Sequence, residues 1–218
     1  VFLSRGRGFL FVHIPKTAGT ALTIAIESRA LKDDIVVGDT PKARARARRQ
    51  QGLSCRGRLW KHSTLADLDG LIPADELEQL FTLTTVRNPW DRVASLYYWL
   101  REQSFAHPLI NVAKQSSFSD FVRSPIVQVS LRTGTYESYL RRPDGSLKPS
   151  LFARIEHFQN DIAEFQQKLG YPLPELERVN QSNRPRDWRG LYTEQDAILI
   201  GEICATDIER FGYSFDPE

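Results

Sequence analysis

His13-Ile-Pro-Lys-Thr-Ala-Gly-Thr20 places one lysine, two threonines and one glycine where an apolar run gives way to an amphipathic one. The first N–H groups of a helix lack internal partners and carry the positive end of its dipole, so a loop wound onto that end binds a phosphate-like anion. Pro15, Lys16, Thr17, Ala18, Gly19 and Thr20 form such a cradle. Lys16 adds a mobile charge, Thr17 and Thr20 add hydroxyls, and Gly19 lets the backbone approach closely. The loop is not a Walker A motif, which requires a glycine, four residues and then Gly-Lys-Ser/Thr; here Lys16 precedes the glycine.

A second group lies about 70 residues further on, in Thr85-Val-Arg-Asn-Pro-Trp-Asp-Arg-Val-Ala-Ser95. Arg87 closes an apolar run, and Ser95 sits about two turns into the helix that Asn88 and Pro89 would start. A guanidinium and a hydroxyl so placed can hold one phosphate. Asp91 reads as an ion-pair partner for a neighbouring arginine, and Arg92 as structural. Two such clusters suit a nucleotide phosphorylated at both ends; a nucleoside triphosphate has no need of the second.

These strings resemble the two phosphate elements of sulfotransferases that use 3′-phosphoadenosine 5′-phosphosulfate (PAPS), and are most similar to the carbohydrate and bacterial branch of that family. The resemblance implies that Lys16 touches the oxygen bridging phosphate and sulfate, that Thr17, Gly19 and Thr20 hold the 5′-phosphate, and that Arg87 and Ser95 hold the 3′-phosphate. Trp60-Lys-His-Ser-Thr64 resembles the segment that carries the catalytic histidine in uronosyl 2-O-sulfotransferases, which makes His62 the expected base, with Glu156 in reserve because some members use glutamate. Lys61 would face the sulfate. His13 would fix the loop, while His107 and His157 read as surface residues. Val179-Asn-Gln-Ser-Asn-Arg-Pro185 is similar, more loosely, to a segment that closes over the nucleotide, and would bring Arg184 to a phosphate or an acidic acceptor. The Gly-x-x-Gly-x-x-Lys loop of the small-molecule branch is absent, which favours the carbohydrate branch and leaves adenine recognition unassigned. The implied activity is sulfuryl transfer to a hydroxyl of a glycan, with no metal.

Those groups need a scaffold. Phe9–Ile14 is a short apolar run without alternation, of the kind found in buried parallel strands, and Leu80–Val86 reads as a second buried strand, rich in β-formers. Each is followed by a turn and a helix, the first over 21–26 and the second from Trp90 to about Gln103. Leu151–Ile155 predicts a third strand. The pattern implies an α/β protein with a P-loop-like three-layer fold, a central, mostly parallel sheet flanked by helices. Short helices are expected at Ser63–Leu71, Ser117–Arg123 and Tyr136–Leu140, with the rest of 105–150 irregular. Phe158–Leu169 predicts a helix ended by Gly170. The last helix begins at Thr193, buries Ile198, Ile203, Ile208 and Phe211, and ends at Gly212.

The chain has 218 residues and a formal charge of +2. That length suits a single sulfotransferase domain over 1–218. Arginine outnumbers lysine 22 to 7, and its planar fork suits sulfate and phosphate. Lys42-Ala-Arg-Ala-Arg-Ala-Arg-Arg49 forms an exposed helix or loop that faces solvent, an anionic glycan or lipid head group, or nucleic acid; no nucleic-acid partner is expected, while peripheral membrane contact fits this run. Cys55 and Cys204 form no CxxC motif, no apolar run reaches 18 residues, and residues 1–14 lack a signal-cleavage pattern, so a cytoplasmic location is expected. Two other function classes compete. A nucleoside or sugar kinase shares the opening strand, loop and helix, but the chain lacks the Walker A loop and a clear carboxylate for Mg²⁺ at a strand end. A binding module for acidic polymers explains the arginine run and leaves both anion clusters unused.

Overall fold

The computed structural model describes residues 1–176 and 184–216. The chain runs β1 (Phe2–Ser4), β2 (Phe9–Val12), α1 (Gly19–Glu27), β3 (Ile35–Val36), α2 (Pro41–Gln50), α3 (Ala74–Gln79), β4 (Phe81–Val86) and α4 (Pro89–Arg101). It continues through α5 (Pro108–Gln115), α6 (Phe118–Arg123), α7 (Pro125–Thr133), β5 (Leu151–Arg154), α8 (Phe158–Asp161), α9 (Ala163–Leu169), α10 (Glu194–Ile203) and α11 (Ala205–Phe211). It divides into two compact units, Val1–Val86 with Tyr136–Val179, and Arg87–Thr135 with Asn180–Glu218.

The first unit holds a five-stranded sheet in the order β3-β1-β2-β4-β5. β2, β4 and β5 pair in parallel, and β1 is antiparallel to both β2 and β3. Four of the five strands therefore point the same way. β2 is buried on both faces. Phe9 and Phe11 pack with Leu22, Ile26, Leu83 and Phe165, while Leu10 and Val12 pack with Leu65, Leu68, Ile72 and Leu77. That two-sided burial is why the strand is an unbroken apolar run, and it produces the three layers. Each fully buried phenylalanine contributes about 2–3 kcal/mol of transfer free energy. After β2 the chain crosses to β3 on one side, whereas after β4 it crosses to β5 on the other. The C-terminal ends of β2 and β4 thus mark a topological switch point, the usual binding position in open α/β sheets.

The second unit is helical, around Trp90, Val93, Tyr97, Phe121, Val127, Ile200 and Ile203. Asn88 accepts a hydrogen bond from the Trp90 N–H at 3.1 Å and Pro89 fills the first turn of α4. Trp90 Nε1 donates to the Ala197 carbonyl at 2.9 Å, tying α4 to α10. Asp196 is fully buried; it accepts from Arg123 Nε at 2.7 Å and from the Thr193 hydroxyl at 2.8 Å.

Several local expectations need correction. Ser63–Leu71 is a series of turns, because Thr64 closes an Asp67-capped turn through its N–H and hydroxyl at 2.8 and 2.9 Å. The stretch 105–150 holds the expected short helices, α6 and a 3-10 turn at Glu137–Leu140, but it also carries α5 and α7, both opened by proline, where irregular chain was expected. The helix expected over 158–169 is broken at Ile162, and the last one at Cys204. Within α10, Ile198 stands five residues, or about 140° around the helix, from the buried Ile203, so it faces outward, 56% exposed. Gly170 and Gly212 close their helices at φ 74° and 66°.

Candidate active site

In the first unit, the loop after β2 is built on two left-handed residues that are not glycine, Lys16 at φ 66° and Ala18 at φ 60°. Each costs on the order of 1–2 kcal/mol, a strain characteristic of functional loops. Left-handed residues interleaved with ordinary ones turn successive N–H groups toward a common side, the pattern of an anion nest. Ala18 is the N-cap of α1 and supplies no side-chain cap. The first N–H groups of a nine-residue helix therefore lack a side-chain acceptor, the arrangement an anion would complete. Pro15, Lys16, Ala18 and Thr20 are partly exposed, whereas Thr17 and Gly19 are buried.

Thr17 faces inward. Its hydroxyl donates to the Ile14 carbonyl at 2.9 Å and lies 3.0 Å from the Thr85 hydroxyl. With its proton on Ile14, Thr17 is the acceptor and Thr85 the donor. Thr84 donates to the Val12 carbonyl at 2.7 Å. The ends of β2 and β4 are thus stitched by side chains as well as by the sheet ladder, and Thr17 can serve an anion only through its backbone. Gly19 is set by its neighbour: a Cβ there would lie 2.1 Å from His13 Cδ2. His13, 6% exposed, packs over α1, and burial and the nearby His62 hold its pKa well below the ordinary value.

His62 lies against His13, with ring centroids 4.6 Å apart. Its Nδ1 is 2.8 Å from the His13 carbonyl oxygen. A carbonyl only accepts, so Nδ1 carries the proton and the neutral ring keeps its lone pair on Nε2. Burial is the largest cause lowering the His62 pKa from 6.5 to about 4, and the Lys61 charge acts the same way. At neutral pH His62 is uncharged and able to accept a proton at Nε2. Lys61 is ion-paired with Asp39 at 2.8 Å. Glu156 and His157 are exposed beyond the end of β5. His107 is exposed and caps α5, accepting from the Leu109 N–H at 3.2 Å.

In the second unit, Arg87, Asp91 and Arg184 form one cluster. Arg87 grips a single carboxylate oxygen of Asp91 through Nε at 2.7 Å and Nη2 at 2.6 Å. Arg184 binds the other oxygen of Asp91. All three side chains are under a fifth exposed. Ser95 is one turn beyond Asp91 on the same face of α4, and is buried. Arg92 donates to the Gly134 carbonyl at 3.1 Å, the end of α7. Of the segment 179–185, residues 179–183 lie outside the described residues. Asp91 bridges Arg87 to Arg184, which lies 93 positions beyond Asp91 in the sequence, a link the sequence did not disclose beyond marking Asp91 as an ion-pair partner.

α2 is less of a free basic face than its composition suggests. Arg46 donates to the carbonyls of Asp34 and Leu31 at 2.8 and 2.6 Å, Arg49 to Asp34 at 3.2 Å and Lys42 to Ser28 at 3.1 Å. Its cations cap the chain leaving α1, while Arg44 and Arg48 remain exposed. Among the described residues no helix is long and apolar enough to cross a membrane, and no cluster of three or more metal-ligating side chains is present.

No protein-family model matches the chain, and no curated protein matches it. Solved structures do. A mouse sulfotransferase, SULT7A1, complexed with PAP superposes with a TM-score of 0.55 at 15% identity, covering 94% of this chain and 84% of its own. The fold is that of a sulfotransferase, a mixed α/β P-loop-like architecture with a central five-stranded sheet flanked by helices.

Proposed function

We propose that this protein transfers a sulfuryl group from PAPS to a hydroxyl of a carbohydrate. The observation that carries the reading is the strained loop at the end of β2, where Lys16 precedes a helix start without a side-chain cap. The fold shared with a sulfotransferase solved with PAP supports it. In this reading the loop N–H groups and Lys16 bind the donor's phosphosulfate end, and Arg87 and Ser95 bind its 3′-phosphate. Thr17 and Gly19 contribute through the backbone alone.

His62 takes the acceptor's hydroxyl proton on Nε2 while Nδ1 stays bonded to the His13 carbonyl. The freed oxygen forms a bond to sulfur as the bond from sulfur to the phosphate oxygen breaks. The electron pair passes to that oxygen, and Lys16 and the loop N–H groups stabilise the charge developing there. The products are the sulfate ester and 3′-phosphoadenosine 5′-phosphate (PAP). A positioned base is worth about 10²–10⁴-fold in rate.

Incubation with sulfur-labelled PAPS and a glycan panel tests this directly. Label transfer that is lost in Lys16→Ala and falls ~10²–10⁴-fold in His62→Ala supports it. Transfer of a labelled γ-phosphoryl group from ATP·Mg²⁺ instead would replace it with the kinase reading.

A further inference from the structure

Next to His62 the first unit presents an aromatic ring that the protein covers only in part. Trp60 is 38% exposed, and its ring centroid lies 5.0 Å from that of His62 at 84°. The segment carrying it is not slack. The buried Ser63 hydroxyl accepts from the Trp60 N–H at 2.9 Å and contacts the carbonyls of Arg58 and Trp60 at 2.7 and 2.9 Å. One hydroxyl therefore winds 58–63 into a fixed turn, which holds the indole beside the imidazole. An indole kept in water next to a base loses hydrophobic stabilisation that burial would supply. Covering it with the C–H face of a pyranose would recover part of that.

The surroundings are cationic. The Arg58 guanidinium lies 4.9 Å over the Trp60 ring while its side chain stays exposed. Lys61, next in the chain, is ion-paired with Asp39 at 2.8 Å, so the indole's own turn carries two cations, Arg58 over the ring and Lys61 beside it. We propose that Trp60 is the platform for the acceptor's sugar ring, and that Arg58 selects sugars carrying an anionic group. This rests on the reading of His62 as the base, and assigns acceptor recognition to residues of its own turn.

Saturation-transfer NMR tests the assignment without donor or turnover. The probes are a tetrasaccharide alternating glucuronate with N-acetylglucosamine, neutral maltotetraose, and 4-nitrophenol. The expected result is saturation of the ring protons of the acidic tetrasaccharide, lost in Trp60→Ala and partly kept in Trp60→Phe. Arg58→Ala, which leaves the indole in place, should weaken the acidic sugar about tenfold, to the level of the neutral one. Unchanged saturation in Trp60→Ala, or binding of 4-nitrophenol with neither sugar, would overturn the proposal. PAP titrated into the same wild-type sample reads the donor site separately. Failure there would remove the sulfotransferase reading, while the sugar experiment would still decide the platform.

Discussion

The imidazole of His13 lies so close above Gly19 that a methyl group on Gly19 would meet its Cδ2 at 2.1 Å. The last turn of β2 and the first turn of α1 are thereby locked in register. Gly19→Ala should push either the ring or the helix start aside. We expect melting to fall by several degrees and affinity for PAP to drop at least about tenfold. Adding His13→Ala to Gly19→Ala should restore part of both losses, since the coupled pair shares one clash. Additive losses measured by calorimetry would show that the contact does not set the loop.

The Thr17–Thr85 pair predicts an asymmetry. Thr85→Val removes one donor and leaves Thr17 bonded to Ile14, at a cost of about 1 kcal/mol. Thr17→Val leaves both the Ile14 carbonyl and the Thr85 hydroxyl without their observed partner and should cost about 1–3 kcal/mol. Urea unfolding of the two variants separates these outcomes.

Arg87 grips Asp91 through two nitrogens, a geometry that lysine cannot copy. Arg87→Lys keeps the charge but should release Asp91, lower stability by about 1–3 kcal/mol, and weaken PAP at least about tenfold. An unchanged affinity would mean that the charge alone matters at this position.

His62 gives the protein an acid-sensitive step. Its folded pKa of about 4 lies below the ordinary 6.5, so in the window between these values the unfolded chain binds more protons than the folded one. Stability is intact above pH 6.5 and is lost as pH falls through 4, by roughly 3 kcal/mol for this group. His13, shifted in the same direction, adds to the slope. Unfolding followed at several pH values should show this slope reduced in His62→Asn. In turnover, kcat/KM should stay level down to about pH 5 and fall below it, since its acid limb reports the free enzyme.

α2 predicts two classes of arginine. Arg46, bonded to two carbonyls, should cost about 1–2 kcal/mol when replaced by alanine, whereas Arg48→Ala should stay within about 0.5 kcal/mol. Equal effects would show that the guanidinium-to-carbonyl bonds are not what docks the helix.

How far the sequence reached follows from what each signal encodes. β2 was legible because burial on both faces leaves an unbroken apolar run, β4 because it is rich in β-forming residues, and α4 because Asn88 and Pro89 announce its start. β1 and β3 were not, since three- and two-residue strands carry no period. Ser63–Leu71 read as a helix because its apolar spacing allows one, but Ser63, Thr64 and Asp67 satisfy the backbone in turns instead. At the candidate site, residue types marked the loop and Arg87. The inward turn of Thr17 and the Arg87–Asp91–Arg184 bridge depend on contacts distant in sequence, which no local pattern reports.

Calorimetric titration with PAP, run without metal and compared with ATP·Mg²⁺, is the most direct test of the donor site. The account predicts micromolar binding of PAP that disappears in Lys16→Ala and in Arg87→Ala. No binding, or a preference for ATP·Mg²⁺, would contradict it.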